Sequence, residues 1–397
     1  MHPDGAARGD AAAGAVDADE VIDLARALIA ARSENPGGTE DEAAEVASGF
    51  LAEIDASPAT VRGDAGRPSV VATIGPEDGP SLAWNGHLDT VPTGSLDTWS
   101  VDPFAGAVVD GRLIGRGACD MKGAIAAALA AGAAIRRAGI ELGGALTFHL
   151  AADEELAGVH GTKVLLDRGL LSQQAAIVGE PTDLALGLAE RGGAWIVVES
   201  NGRAAHGSTP QLGANAITSM ARLLLRLPEA LPDRQHPLVG RPTVNAALIA
   251  GGSARNVVPD RCTLTIDRRT IPGEGSPEDV LAPFEALAAS IHDEDPDADL
   301  ICRIEEWTEA AESDGNAAIA NACREAVRIE TGATPADVGF TGITDARFYI
   351  NDADIPTVIL GPGSLTVAHT ANESVSIDEL VAAARIYARV FVRFLGA

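Results

Sequence analysis

Lysine is almost missing from this chain: among 397 residues only Lys122 and Lys163 carry it. Arginine brings the basic total to 29 against 57 Asp and Glu, a formal charge of -28. Nucleic acids and anionic membranes are bound through basic patches, so this balance argues against both as partners. The acids are scattered, as in Glu40-Asp41-Glu42 and Asp293-Glu294-Asp295. An evenly acidic, lysine-poor surface points to a halophilic protein, because salt screens its self-repulsion. Cysteine is scarce too. Cys119, Cys262, Cys302 and Cys323 stand far apart with no C-x-x-C pair, which excludes a disulfide framework and a zinc ribbon. No apolar run approaches the length of a membrane span. The stretch Met1–Glu20, rich in Ala, Gly and Asp, lacks the basic-then-apolar layout of a signal peptide. It reads as a frayed tail over residues 1–17 of a cytoplasmic protein.

Apolar residues are plentiful at 46%, enough for a sizeable core, and the length suits about two domains. Two textures alternate. Up to residue 185 the pattern is α/β: helices at Ala18–Ala31 and Glu40–Leu51, strands at Ser69–Thr73 and Ser81–Asn85, an alanine-rich helix Gly123–Ala138, a strand Ala145–Ala151 and a helix Gly161–Arg168. From Leu186 it becomes α+β: a strand Trp195–Glu199, a helix Ala214–Leu227, strands Thr243–Ile249 and Arg261–Ile266 joined by an expanded turn from Gly251-Gly252, and a helix Pro277–Ile291. After Ile304 the α/β texture returns, with a helix Asn316–Thr331, a strand Pro356–Leu360 and a final helix Ile377–Phe394. The fold class is therefore α/β, a central mixed sheet flanked by helices. Residues 1–185 and 306–397 form one discontinuous domain, and 186–305 an inserted smaller α+β domain.

Several apolar runs stop at a histidine or an acid. Ser81–Asn85 leads to His87, Leu146–Ala152 to Glu154 and Glu155, Ala175–Gly179 to Glu180, and Pro356–Leu360 precedes His369. Asp120 stands at the mouth of the alanine-rich helix. Open α/β sheets place their sites at the carboxyl ends of strands, and imidazoles with carboxylates gathered there suit two divalent cations. Each residue taken singly has a plainer reading. His87 and Asp89 could be a capping pair, Asp120 an N-cap, and Glu154 and Glu155 solvated loop acids.

The ordered set His87-Leu88-Asp89-Thr90-Val91-Pro92, Gly117-Ala118-Cys119-Asp120-Met121-Lys122-Gly123, Asp153-Glu154-Glu155, Gly179-Glu180-Pro181-Thr182 and His369 closely resembles the dinuclear-zinc amidohydrolase family. That family includes acetylornithine deacetylase, succinyl-diaminopimelate desuccinylase, aminoacylase and glutamate carboxypeptidase. The resemblance implies His87, Asp120 and Glu180 on one metal, and Asp120, Glu155 and His369 on the other. It makes Glu154 the general base and Asp89 the acid that holds His87. It implies two divalent ions, zinc foremost with cobalt or manganese as alternatives. The inserted segment corresponds to a lid and dimerisation domain, so a homodimer is implied. There His206 would reach the substrate carbonyl, and Asn256 and Arg269 would bind substrate, with Arg268 as the neighbouring alternative. From the residues alone, His206 reads as a turn residue and both arginines as strand-surface charges.

The activity implied is hydrolysis of the amide of a small N-acyl amino acid, of acetylornithine deacetylase or succinyl-diaminopimelate desuccinylase type. Alternatives are a metallo-dipeptidase or carboxypeptidase of the same family and an inactive binding or assembly module. A nucleotide enzyme is poorly supported, since Gly115 and Gly117 form no strand-linked G-x-G-x-x-G. The surface charge makes a direct prediction. The melting temperature should rise between dilute buffer and molar KCl, and an unchanged value would overturn the halophilic reading.

Overall fold

The computed structural model describes residues 3–396. The chain packs as two compact units. The first takes in the chain through Leu188, Ser313–Phe340, and everything from Thr344 onward; the second is Ala189–Glu312 with Thr341–Ile343.

The first unit opens with helices α1 (Pro3–Gly14), α2 (Ala18–Ala30) and α3 (Asp41–Glu53). Strands β1 (Ala59–Arg62), β2 (Pro68–Ile74) and β3 (Ser81–His87) follow, then a small ribbon of β4 (Ala107–Val109) and β5 (Arg112–Ile114). After these come α4 (Lys122–Arg137), β6 (Ala145–Ala151), α5 (Thr162–Asp167), β7 (Ala175–Val178) and β8 (Leu186–Glu190). The second unit contains β9 (Gly192–Asn201), α6 (Ala216–Arg226), β10 (Thr243–Gly251), β11 (Arg261–Thr270), α7 (Pro277–Glu294), β12 (Asp299–Thr308) and β13 (Ala311–Glu312). The chain closes with α8 (Ala318–Thr331), β14 (Asp337–Phe340), β15 (Thr357–Ile359), β16 (Ser374–Ser376) and α9 (Ile377–Leu395).

The sheet of the first unit runs β1-β2-β6-β3-β7-β15-β8. Strands β6, β3, β7 and β15 are parallel to their neighbours in that run, while β1–β2, β2–β6 and β15–β8 are antiparallel. It is a mixed sheet with helices on both faces. Alternation along β3 and β6 sends side chains both ways. Trp84 and Phe148 point to α9, where they meet Tyr387 and Phe391 edge-on. Ala83 joins Leu165 of α5, Phe348 and Tyr349 in a cluster on the opposite face. Helix α4 is buried from Lys122 through Ile135, and its run of small alanines lets it pack on all sides.

The frayed tail expected over residues 1–17 is corrected. Pro3–Gly14 is helix α1, Ala12 and Ala13 are buried, and Asp10 pairs with Arg389 of α9 at 3.1 Å. Its low hydrophobicity disguised it, because alanine and glycine suffice where a helix lies close against another. Met1 and His2 lie outside the described residues. In the second unit the four strands are ordered β10-β11-β9-β12, backed by a core of Met220 and Leu223 from α6 and Phe284 and Ile291 from α7. Edge strand β12 lacks a continuous apolar run; its alternate residues Leu300, Cys302 and Ile304 face the core.

His149, absent from the sequence-derived site, is fully buried in β6 with its Nδ1 2.7 Å from the Tyr349 hydroxyl. Burial pushes its pKa down from 6.5 to about 4. Between those values the unfolded chain binds a proton that the fold refuses, so stability falls as the pH drops through this window. The loss of melting temperature between about pH 7 and about pH 5 should therefore be smaller in His149→Phe than in the parent protein. Equal losses would contradict this.

Candidate metal centre

The first unit brings the strand-end residues together because β6, β3 and β7 are adjacent and parallel. Their carboxyl ends lie about 4.8 Å apart, the spacing of neighbouring strands. His87 is the last residue of β3, Glu154 and Glu155 follow β6, and Glu180 follows β7. His369 comes from the loop after β15, with a left-handed φ of 60°. Asp120 precedes α4 but does not cap it, since the N-cap position is Met121 and no side chain caps there. The plainer N-cap reading of Asp120 is thereby removed.

The Asp120 carboxylate lies between the two imidazoles. Its Oδ1 is 3.0 Å from His87 Nε2 and its Oδ2 3.3 Å from His369 Nε2. His87 Nε2 is also 3.8 Å from Glu180 Oε1 and 4.0 Å from Glu154 Oε2. His369 Nε2 is 3.1 Å from Glu155 Oε2. Candidate ligand atoms of His87, Asp120 and Glu155 lie within 4.8 Å of one another, as do those of His87, Glu154 and Glu180. This grouping cuts across the division implied by the resemblance, because His87 belongs to both sets and Asp120 to the first alone.

Asp89 takes a broader part than expected. His87 Nδ1 lies 2.9 Å from the Asp89 carbonyl oxygen and 3.5 Å from its carboxylate Oδ1. The carboxylate itself accepts the backbone N–H groups of Glu154 and Glu155 at 3.1 and 3.2 Å. Sequence reasoning missed Glu373. This buried acid accepts the N–H of Cys119 and of Asp120, each at 3.0 Å, and pairs with buried Arg116. It lies 253 residues from Asp120, so no spacing rule could have joined them.

In the second unit, His206 and Asn256 share a loop pair: Gly207 N–H donates to the Asn256 carbonyl at 2.8 Å, and both side chains are exposed. Arg269 of β11 pairs with Asp267 at 2.8 Å and stacks over Trp195. Arg268 is 1% exposed and pairs with Glu274. Of the two arginines, only Arg269 is open to a ligand.

Burial pushes the Glu154 and Glu180 carboxyls well above the usual range, and neighbouring acids push the same way while His87 opposes them. Burial alone would also raise Asp120, but its bonds to His369 and His87 overcome this and hold it low. His369 is raised to about 10 by its bonds to Asp120 and Glu155. Four largely buried acids facing two imidazoles remain short of positive charge even with both rings protonated. Divalent cations would supply it, and the oxygen and imidazole donors suit zinc, cobalt or manganese. The residues fit a two-metal site.

Residues 83–393 match the model of peptidase family M20/M25/M40. The chain belongs to that family. It is 34% identical to acetylornithine deacetylase of Myxococcus xanthus over 324 residues, 80% of each chain. It is 32% identical to succinyl-diaminopimelate desuccinylase of Rhodospirillum centenum over 403 residues, covering 96% of this chain and 99% of the relative. In structure it resembles the aminopeptidase PepT of Bacillus cereus, with a TM-score of 0.78, 20% identity and coverage of 96% and 100%. A dinuclear metal-binding M20 peptidase of Bacillus subtilis matches with a TM-score of 0.71, 20% identity and coverage of 95% and 98%. As a member of M20/M25/M40 the protein is a metal-dependent hydrolase of amide bonds. No helix among the described residues is long and apolar enough to cross a membrane.

Chelation should lower the melting temperature and metal should restore it, each occupied site adding about 4 kcal/mol of stability when free metal exceeds its Kd about 1,000-fold. A chelated protein that melts unchanged would show that the acids need no cation.

Proposed function

We propose that the protein removes the acyl group from an N-acyl amino acid by hydrolysis of the linking amide. The observation that carries this reading is the Asp120 carboxylate, one oxygen toward His87 and the other toward His369, with Glu154 beside His87. The deacetylase and desuccinylase relatives, similar along most of the chain, support an acyl amino acid as the substrate class. The alternative is a dipeptidase or carboxypeptidase reaction. Peptidase neighbours such as the PepT aminopeptidase and an M20 metallo-carboxypeptidase of Sulfolobus solfataricus share the fold at 20% and 17% identity, which says little about substrate.

In this reading His87, Asp120 and Glu180 hold one cation, and Asp120, Glu155 and His369 the other. Bound zinc, with cobalt or manganese as alternatives, would supply an acidified water and polarise the amide carbonyl. Glu154 takes the water's proton and returns it to the departing nitrogen; its burial favours such a role by raising its basicity. Asp89 orients His87 through Nδ1. His206 Nδ1 accepts from the Ser208 backbone N–H at 3.2 Å, which places the ring proton on Nε2 as a donor for the developing oxyanion. Arg269 grips the substrate carboxylate with its two-pronged guanidinium, and Asn256 contacts the substrate beside His206. The second unit acts as a lid and as the seat of a homodimer. Exposed Leu225 of α6 with Leu248 and Ile249 of edge strand β10 supports this, as apolar side chains left in water favour a partner. Cytoplasmic residence and halophily belong to the same proposal.

A panel of N-acetyl and N-succinyl amino acids beside dipeptides, assayed with zinc- and cobalt-loaded protein at high KCl, tests the substrate class. Hydrolysis of dipeptides alone would overturn it. Glu154→Gln should lose about 100- to 10,000-fold in kcat while binding metal normally. Full activity would remove Glu154 from its role, and sedimentation of a monomer at assay concentration would remove the dimer.

A further inference from the structure

Behind the metal-site acids lies a second, buried polar ring that the hydrolytic chemistry does not itself use. Its centre is the turn Asp153-Glu154-Glu155. Three successive backbone N–H groups of this turn each donate to a buried carboxylate: Asp153 to Glu40 at 3.3 Å, Glu154 to Asp89 Oδ1 at 3.1 Å, and Glu155 to Asp89 Oδ2 at 3.2 Å. Asp153 has a left-handed φ of 64°, a conformation that Asp adopts more readily than most residues with a side chain.

The two receiving carboxylates are held by Asn35 and Arg67. The buried Asn35 amide donates to Asp89 Oδ2 at 2.8 Å and to Asp153 Oδ1 at 3.1 Å, so one side chain ties the receiver to the turn. Arg67 donates through Nε to both Glu40 oxygens at 3.0 and 3.1 Å, through Nη1 to the Asn35 side-chain oxygen Oδ1 at 2.8 Å, and lies 3.3 Å from Asp153 Oδ1. Glu40, Asp89 and Asp153 are all buried, and among the described residues Arg67 is the cation paired directly with Glu40 and Asp153. A guanidinium suits the task because its fixed fork serves several acceptors in one plane.

We propose that Asn35 and Arg67 are positioning residues: they fix the Asp153–Glu155 turn and thereby aim Glu154 at the reacting water and Glu155 at its cation. This rests on the reading of Glu154 as base and Glu155 as ligand. Neither residue faces the reacting atoms. Their loss loosens the turn, so turnover falls while substrate affinity holds.

The test compares Asn35→Ala, Arg67→Met and Arg67→Lys with the parent and with Glu154→Gln, all metal-loaded. The readouts are kcat and KM on a substrate found in the panel, melting temperature, and amide hydrogen exchange in the peptide spanning Ala151–Leu156. Asn35→Ala should lower kcat about 10- to 100-fold with KM changed less than about twofold, and should speed exchange in that peptide. Arg67→Lys should recover most of the melting temperature lost in Arg67→Met, because it restores the charge. It should leave kcat low and exchange fast, because an ammonium lacks the fork. Should Arg67→Met fail to fold, Asn35→Ala and Arg67→Lys carry the comparison. Parent-like kcat and exchange in Asn35→Ala, or a loss confined to KM, overturns the proposal. If Glu154→Gln is inactive in that case, the site reading stands and only this inference fails; if Glu154→Gln is active, the site reading itself has failed.

Discussion

Negative charge concentrated at the carboxyl ends of three adjacent parallel strands is the constraint around which the first unit is built. Asp120, Glu154, Glu155 and Glu180 are largely buried, and their close neighbours of opposite sign are His87 and His369. Carboxylates withdrawn from water repel each other strongly and persist only where cations or hydrogen-bond donors meet them. The metal-binding character of the family and this charge deficit are two views of the same fact.

Outside the cluster, further acids are compensated in other ways. Glu373 is met by Arg116 and two backbone amides, and Glu40 and Asp153 by Arg67. Asp89 receives Asn35 and two amides of the acidic turn. The same backbone N–H groups that neutralise these acids also fix the segments carrying the site residues. Charge compensation and side-chain aim are therefore coupled, which rigidifies a turn that loop residues alone would leave loose.

The fold keeps this polar region apart from its apolar packing through strand alternation. Trp84 and Phe148 send large rings toward α9, while Asn85 and His149 on the same strands face the other side and enter hydrogen bonds. Small residues along α4 allow that helix to lie close to its neighbours, and so bring Asp120 at its head to the strand ends.

Much was legible in the chain itself. The mixed α/β class, the principal helices and parallel strands, and the strand-end residues His87, Glu154, Glu155 and Glu180 follow from local pattern, because a buried strand must end where its apolar run ends. Local pattern could not show that α1 packs as a helix, since its alanines carry little periodic signal. It could not separate Arg268 from Arg269, which alternate on one strand and differ only in which side of the sheet they face. Nor could it find Asn35, Arg67 or Glu373, whose partners lie 27 to 257 residues away. The sequence by itself determined which ligand-type side chains exist and which strand delivers each. Only the tertiary structure decided which of them meet, because strand order places β6, β3 and β7 side by side and loop closure brings Asp120 and His369 to the same edge.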